Sequence, residues 1–214
     1  MGPPSPSSPG ATTTPCASVT APKSESSRRL SHKAREAALD HSQDLSEDAI
    51  GAAVAAVETA DGGFPFTREQ TAAIYALGRG GRLSLLTGVA GAGKTTLLSP
   101  LVDAWRADGR RVVGMSTAWR QADALKDAGI AETIALQPLL NAIDTGEFRP
   151  DARTVIVIDE VSQIGPKSML RLLELQTETG MTIKMLGDRE QVQSIEAGDT
   201  IELLRRVLPK PSMP

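Results

Sequence analysis

Four short aliphatic runs, Leu83 to Leu86, Val112 to Met115, Val155 to Ile158 and Ile183 to Leu186, punctuate the chain beyond Phe64. Each is too short for a helix and, apart from Ser84, Gly114 and Lys184, is apolar at successive rather than alternate positions, the pattern of a strand covered on both faces. Between them lie longer stretches, among them Leu97 to Ala107 and Met169 to Glu178, whose apolar residues recur at helical spacing. Gly109 and Gly180 follow these stretches as C-terminal caps. Strands alternating with crossover helices predict an α/β fold, a doubly wound and mainly parallel sheet with flanking helices, with ligands at the carboxyl ends of the strands. Pro100, inside the first long helical stretch, is expected to kink that helix or shift its start.

Upstream the pattern changes. Residues 1–31 hold Pro3, Pro4, Pro6, Pro9, Pro15 and Pro22 among Ser and Thr, with almost no large apolar side chain. Such a stretch cannot bury enough surface to offset its chain entropy, so a disordered tail is expected there. The basic run Arg28, Arg29, Lys33 and Arg35 reads as a solvated face. Residues 32–63 form a short helical segment, in which Ser46 is a candidate N-cap ahead of Ile50, Ala53, Val54 and Val57, and Asp61-Gly62-Gly63 ends it. The folded domain is expected over 64–208, with a disordered end at 209–214.

Composition removes several functions. Aromatic residues make up 3% of the 214 residues, which disfavours multi-aromatic platforms for sugars or single strands, and the net charge of -3 disfavours coating nucleic acid by charge alone. Any nucleic-acid site must be local; Arg120, Lys126, Lys184 and Arg189 are candidates for it. With one cysteine, Cys16, and two histidines, His32 and His41, neither a disulfide nor a zinc set is expected. The absence of a long apolar stretch and of a secretory leader predicts a cytoplasmic chain without a membrane partner.

The first strand runs into Gly88-Val-Ala-Gly-Ala-Gly93-Lys94-Thr95, which fits G-x-x-x-x-G-K-[ST] and leads into a helical pattern from Thr96. That strand-loop-helix context is what a phosphate-binding loop requires. Backbone N–H groups through Gly88, Ala90, Gly91, Ala92, Gly93 and Thr96 can wrap a phosphate, and the helix N-terminus adds its positive end. Lys94 would reach the β- and γ-phosphates and the Thr95 hydroxyl would bind Mg²⁺. The competing reading is a Gly-rich turn with an exposed lysine. About 65 residues later Thr154 to Ile158 ends in Asp159-Glu160, where the first acid would hold the metal and the second would polarise a water. An acidic pair after a strand is weak on its own, since it can be a polar strand end. Together the two motifs predict transfer of a phosphoryl group from a nucleoside triphosphate to water, with Glu160 as base.

The fourth strand ends in Gly187-Asp188-Arg189-Glu190-Gln191, followed by Ser194-Ile195-Glu196-Ala197-Gly198. This stretch resembles motif III of superfamily 1 DNA helicases of the RecD-like branch, and the resemblance implies that Gln191 senses the γ-phosphate. Phe66 to Ile74 resembles the Q motif of the same helicases, which implies that Gln70 reads the adenine edge. Ser116-Thr117-Ala118-Trp119-Arg120-Gln121-Ala122 stands where motif Ia contacts single-stranded DNA, which implies phosphate contacts from Thr117 and Arg120 and base stacking by Trp119. Trp119 could equally pack a helix on the sheet. With Val161-Ser162-Gln163-Ile164-Gly165 and Asp199 to Leu204, the ensemble is similar to the helicase part of conjugative relaxases over roughly 64–208. The family implies a RecA-like P-loop ATPase with ATP and Mg²⁺ as ligands.

Relaxase nicking uses a tyrosine and a histidine triad, whereas this chain has Tyr75 alone and two histidines, so nicking is not expected. The resemblance also implies a second RecA-like domain, or a partner chain, to supply an arginine finger, typically worth about 10³ to 10⁵ in rate. Weak hydrolysis is expected without it. An alternative from another class is a nucleotide-dependent binding module, or a degenerate fragment, with negligible turnover. A P-loop kinase or GTPase is disfavoured, since neither an Asn-Lys-x-Asp motif nor an Arg-rich lid follows.

Overall fold

All four aliphatic runs are strands, and a fifth joins them. β1 (Leu83–Gly88), β2 (Arg111–Ser116), β3 (Glu132–Ala135), β4 (Thr154–Ile158) and β5 (Thr182–Asp188) form one sheet in the order β1, β5, β4, β2, β3. Every pairing is parallel. The computed structural model describes residues 24–88, 94–188 and 195–208. Residues 1–23 of the tail expected over 1–31, and the end expected at 209–214, lie outside the described residues. β3 escapes the sequence pattern because its four residues include one large aliphatic, Ile134, and it sits half-exposed at the sheet edge.

The crossovers cover both faces. From β1 to β2 to β3 the chain moves one way across the sheet through α4 (Lys94–Ala107), α5 (Trp119–Ala124) and a 3-10 turn at Leu125–Ala128. It returns from β3 to β4 to β5 through α6 (Leu136–Asp144) and α7 (Pro166–Thr179). With right-handed crossovers, opposite directions put the two helix sets on opposite faces. The core divides accordingly: Val155, Val157 and Leu186 pack with Leu98, Leu101 and Trp105 on one face. Ile156, Ile158, Ile183 and Met185 pack with Leu139, Leu172 and Leu173 on the other.

The segment before Phe64 is part of this domain rather than an appendage. α1 (Glu25–Leu39) lies against α7 and α8 (Ile195–Val207), and buries Leu30, Ala34 and Ala38 in the second cluster. It begins well before residue 32, so the boundary expected for the disordered tail is corrected: residues 25–31 are helical. Ser24 caps the helix by accepting from the Ser27 N–H, and Leu30, at 1% exposure, supplies the buried surface that a local reading of its neighbours does not reveal. Part of the basic run is docked too, since Arg29 pairs with Glu174 at 2.7 Å and the Lys33 ammonium donates to Thr177. α2 (Glu47–Thr59) and α3 (Arg68–Gly78) pack on α4 over the first face.

α4 runs from Lys94 without a break through Pro100, so its start is not shifted beyond the proline. The lost backbone bond is offset by its neighbours, since Leu97, Leu98, Leu101, Val102 and Trp105 are all buried against α2, α3 and the sheet. Ser46 is the N-cap of α2, its hydroxyl accepting from the Ala49 N–H at 3.1 Å. Ser46→Ala is expected to cost about 1 kcal/mol. In a domain of this size that lowers the midpoint of a thermal melt by about 2–4 °C; an unchanged melt would show that α2 needs no cap.

Candidate nucleotide site and nucleic-acid face

Parallel register brings the chemistry to one edge. Gly88 closes β1 opposite Asp188 of β5, and β4 on the far side of β5 ends at Ile158, just before Asp159 and Glu160. β5 therefore separates the loop after β1 from the acidic pair by two strand spacings, about 10 Å. α4 begins at Lys94 and points its N-terminus at that same edge. Of the loop residues expected to wrap phosphate, Gly88 ends β1 and Thr96 lies half-buried in the first turn of α4. Ala90, Gly91, Ala92, Gly93 and Gln191 lie outside the described residues, as do the side chains of Lys94, Thr95 and Arg120.

The turn after β4 is tightly defined. The Asp159 N–H donates to the Met115 carbonyl at 2.9 Å, continuing the β2–β4 ladder by one residue, and the buried Ser116 hydroxyl donates to the Asp159 carbonyl at 3.3 Å. The Asp159 carboxylate accepts the Glu160 N–H through Oδ1 at 2.9 Å. Glu160 is left-handed, with φ 54° and ψ 46°, and is the one non-glycine residue with positive φ among those described. Such a conformation costs about 1–3 kcal/mol and persists only where its surroundings hold it. A 3-10 turn, Val161–Gln163, follows at once, and its last residue reaches back: the Gln163 Nε2 donates to Glu160 Oε2 at 2.6 Å.

The stretch after β2 meets that turn. The Thr117 hydroxyl donates to Gln163 Oε1 at 2.6 Å. Trp119 opens α5 with 56% of its surface exposed, so of its two readings the packing one is excluded; Trp105, at 1%, is the core tryptophan. Gln163 has no role in the motif reading, and its one signal there is its place in Val161 to Gly165.

Two other candidate residues lie on α3 and β5. Gln70 caps the start of α3 in a capping box: its Oε1 accepts the Thr67 N–H at 2.8 Å while the Thr67 hydroxyl accepts the Gln70 N–H. Beside it, Phe66, Arg68 and Thr71 line a cavity of about 1160 Å³ along the outer edge of β1. Lys184 cannot contribute to a positive groove. It is fully buried on β5, its Nζ donating to the Gly81 carbonyl at 2.7 Å. Burial pulls its pKa from 10.5 down to about 7, which Asp44 opposes and Arg110 reinforces. Of the remaining candidates, Lys126 pairs with Asp123 at 2.7 Å, and Arg189 lies outside the described residues. No helix among the described residues is long and apolar enough to cross a membrane.

Comparison with known proteins agrees with this arrangement. Residues 65–213 match the family described as the AAA domain. The probable conjugal transfer protein TraA of Sinorhizobium fredii is 38% identical over 132 residues, 61% of this chain and 12% of that protein. The conjugal transfer protein TraA of Agrobacterium fabrum is 37% identical over 133 residues, 62% of this chain and 12% of its own length. The multifunctional conjugation protein TraI of Escherichia coli is 30% identical over 129 residues, 57% of this chain and 7% of that protein. The chain thus spans a small part of each of these relatives. With a five-stranded parallel sheet, a strand running into a glycine-rich loop and an acidic pair two strands away, the chain belongs to the AAA domain family, as a RecA-like domain of the RecD-type superfamily 1 helicases found in conjugative relaxases.

Proposed function

We propose that this domain binds Mg-ATP at the carboxyl edge of β1, β5 and β4, hydrolyses it, and couples that reaction to single-stranded DNA held along the loop after β2. The observation that carries the reading is the separation of Gly88 from Asp159-Glu160 by one intervening strand, with α4 starting at Lys94 on the same edge. The donor set fits the ligands. A hydroxyl at Thr95 and a carboxylate at Asp159 are the hard oxygens that Mg²⁺ accepts while keeping its waters and the phosphates. When bound, Mg²⁺ neutralises charge on the β- and γ-phosphates. The chain's own residues do the rest. The start of α4 and Lys94 cradle the phosphates, Gln191 senses the terminal one, and the Glu160 carboxylate takes the proton of the attacking water. Gln70 would read the adenine edge. An arginine from a second RecA-like domain or a partner chain completes it.

On the DNA side Thr117 offers a hydroxyl to phosphate, Arg120 a guanidinium, and exposed Trp119 a stacking face worth about 1–3 kcal/mol per base. The test is steady-state ATP hydrolysis with Mg²⁺, with and without an oligothymidylate. Turnover raised by the oligonucleotide is the expected result. Nucleotide binding without turnover in either condition would favour a binding module instead, and failure to bind nucleotide would remove both readings.

A further inference from the structure

We infer that Gln163 is a DNA-sensitive restraint on Glu160. Thr117, Gln163 and Glu160 form one hydrogen-bonded line between the stretch after β2 and the turn after β4, through contacts of 2.6 Å and 2.6 Å. The amide is used at both ends, its oxygen accepting from Thr117 and its nitrogen donating to the carboxylate. Residues 117 and 163 are 46 apart in sequence and meet only because β2 and β4 are neighbours. This inference rests on the ATP-hydrolysing reading above, and names how that site is regulated.

The direction of control follows from proton counting. A threonine hydroxyl has one proton to donate, and here Gln163 holds it. A DNA phosphate has only acceptor oxygens, and a bond to a charged acceptor is about twice as strong as one to a neutral amide. A phosphate arriving at Thr117 therefore takes the proton and leaves Gln163 Oε1 without its donor. The glutamine then loses the anchor that keeps its Nε2 on Glu160 Oε2. While the line is intact, one oxygen of the base is occupied by an N–H and its backbone is held at φ 54°, a conformation that needs outside support. Once the line is broken, Glu160 Oε2 is released from this N–H. Gln163 acts through Glu160 and so is a positioning residue. DNA, by this route, relieves a brake.

Linkage gives a second consequence without turnover. If DNA must displace Gln163 from Thr117, then removing Gln163 removes a competitor, and DNA binds more tightly. Gln163→Ala is expected to tighten oligothymidylate binding about threefold to tenfold, the worth of one neutral hydrogen bond, read by anisotropy of a labelled strand. The same variant is expected to raise DNA-independent ATP hydrolysis toward the stimulated rate of the unmodified protein, with the ratio of the two rates falling toward one and KM for ATP little changed. Thr117→Ser, which keeps the donor, should retain the stimulation.

Unaltered or weaker DNA binding in a Gln163→Ala protein that melts like the unmodified one overturns the restraint. So does a fall in both rates by the same factor, which would make Gln163 a support of the active geometry. Where the unmodified protein itself shows no turnover with DNA, the hydrolysis reading fails. Tighter DNA binding by Gln163→Ala would then still establish the Thr117 competition on its own.

Discussion

Lys94→Ala and Glu160→Gln are expected to fail at different steps of the same reaction. The lysine supplies a cation to phosphates, so its loss should remove nucleotide binding and, with it, all turnover. Gln at position 160 keeps the shape of the side chain and the turn at φ 54° but has no basicity. Nucleotide affinity should remain, while hydrolysis falls by about 10² to 10⁴, the usual contribution of a positioned base. That range corresponds to about 3–5 kcal/mol of barrier. Binding of a fluorescent ATP analogue, followed by single-turnover hydrolysis on the same samples, separates the two. Undiminished hydrolysis by Glu160→Gln would move the base elsewhere and leave the acidic pair with metal binding alone.

The contrast between the two variants rests on a part of the fold that the sequence made legible. β1, β2, β4 and β5 are covered by helices on both faces, so their aliphatic runs stand out without any partner in view. The motifs sit at the ends of those runs, which fixes their edge once the strands are parallel. β3 was not legible, because a half-exposed edge strand needs few aliphatic residues. The start of α1 was hidden for another reason. Leu30 is one large apolar residue among charged neighbours, and its burial depends on α7 and α8, more than a hundred residues away.

The site divides in the same manner. Thr67-x-x-Gln70 forms a capping box with both of its bonds, a local role that the Q-motif reading of Gln70 does not include. Its presence does not compete with a role toward adenine, since an amide oxygen has two lone pairs and Nε2 remains a donor. Gln163 is different. Nothing local distinguishes it from any polar residue in a turn, because its partners are set by strand order: Thr117 comes from β2, and β2 lies beside β4 only after the chain has crossed the sheet and returned. The exposure of Trp119 likewise depended on what covers α5, not on the motif around it.

Lys184→Met is expected to stabilise the fold at neutral pH and to remove a pH dependence. Lys184 occupies the middle of β5, on the face shared with Leu186, and Nζ has the Gly81 carbonyl as its acceptor. Burial lowers its pKa from 10.5 to about 7. Above about pH 7 the folded lysine sheds a proton that the unfolded one retains up to about 10.5, so the unfolded state binds more protons through this window. Stability must therefore rise with pH across it and fall as pH drops toward 7. The charged form carries a burial penalty of about 4–5 kcal/mol, and raising the pH from 7 to 9 should recover about 2 kcal/mol. Methionine fills a similar length of side chain without that penalty but leaves the Gly81 carbonyl without its donor, a loss of about 1–3 kcal/mol. The net expectation at pH 7 is a gain of about 1–3 kcal/mol, or several degrees in melting temperature. Denaturant unfolding of both proteins at pH 7 and pH 9 is the check: the difference between them should shrink or reverse at the higher pH, since only the unmodified protein gains from losing a proton. A constant difference across the two pH values would mean that folded Lys184 keeps its proton at both, with Asp44 holding it more strongly than burial expels it.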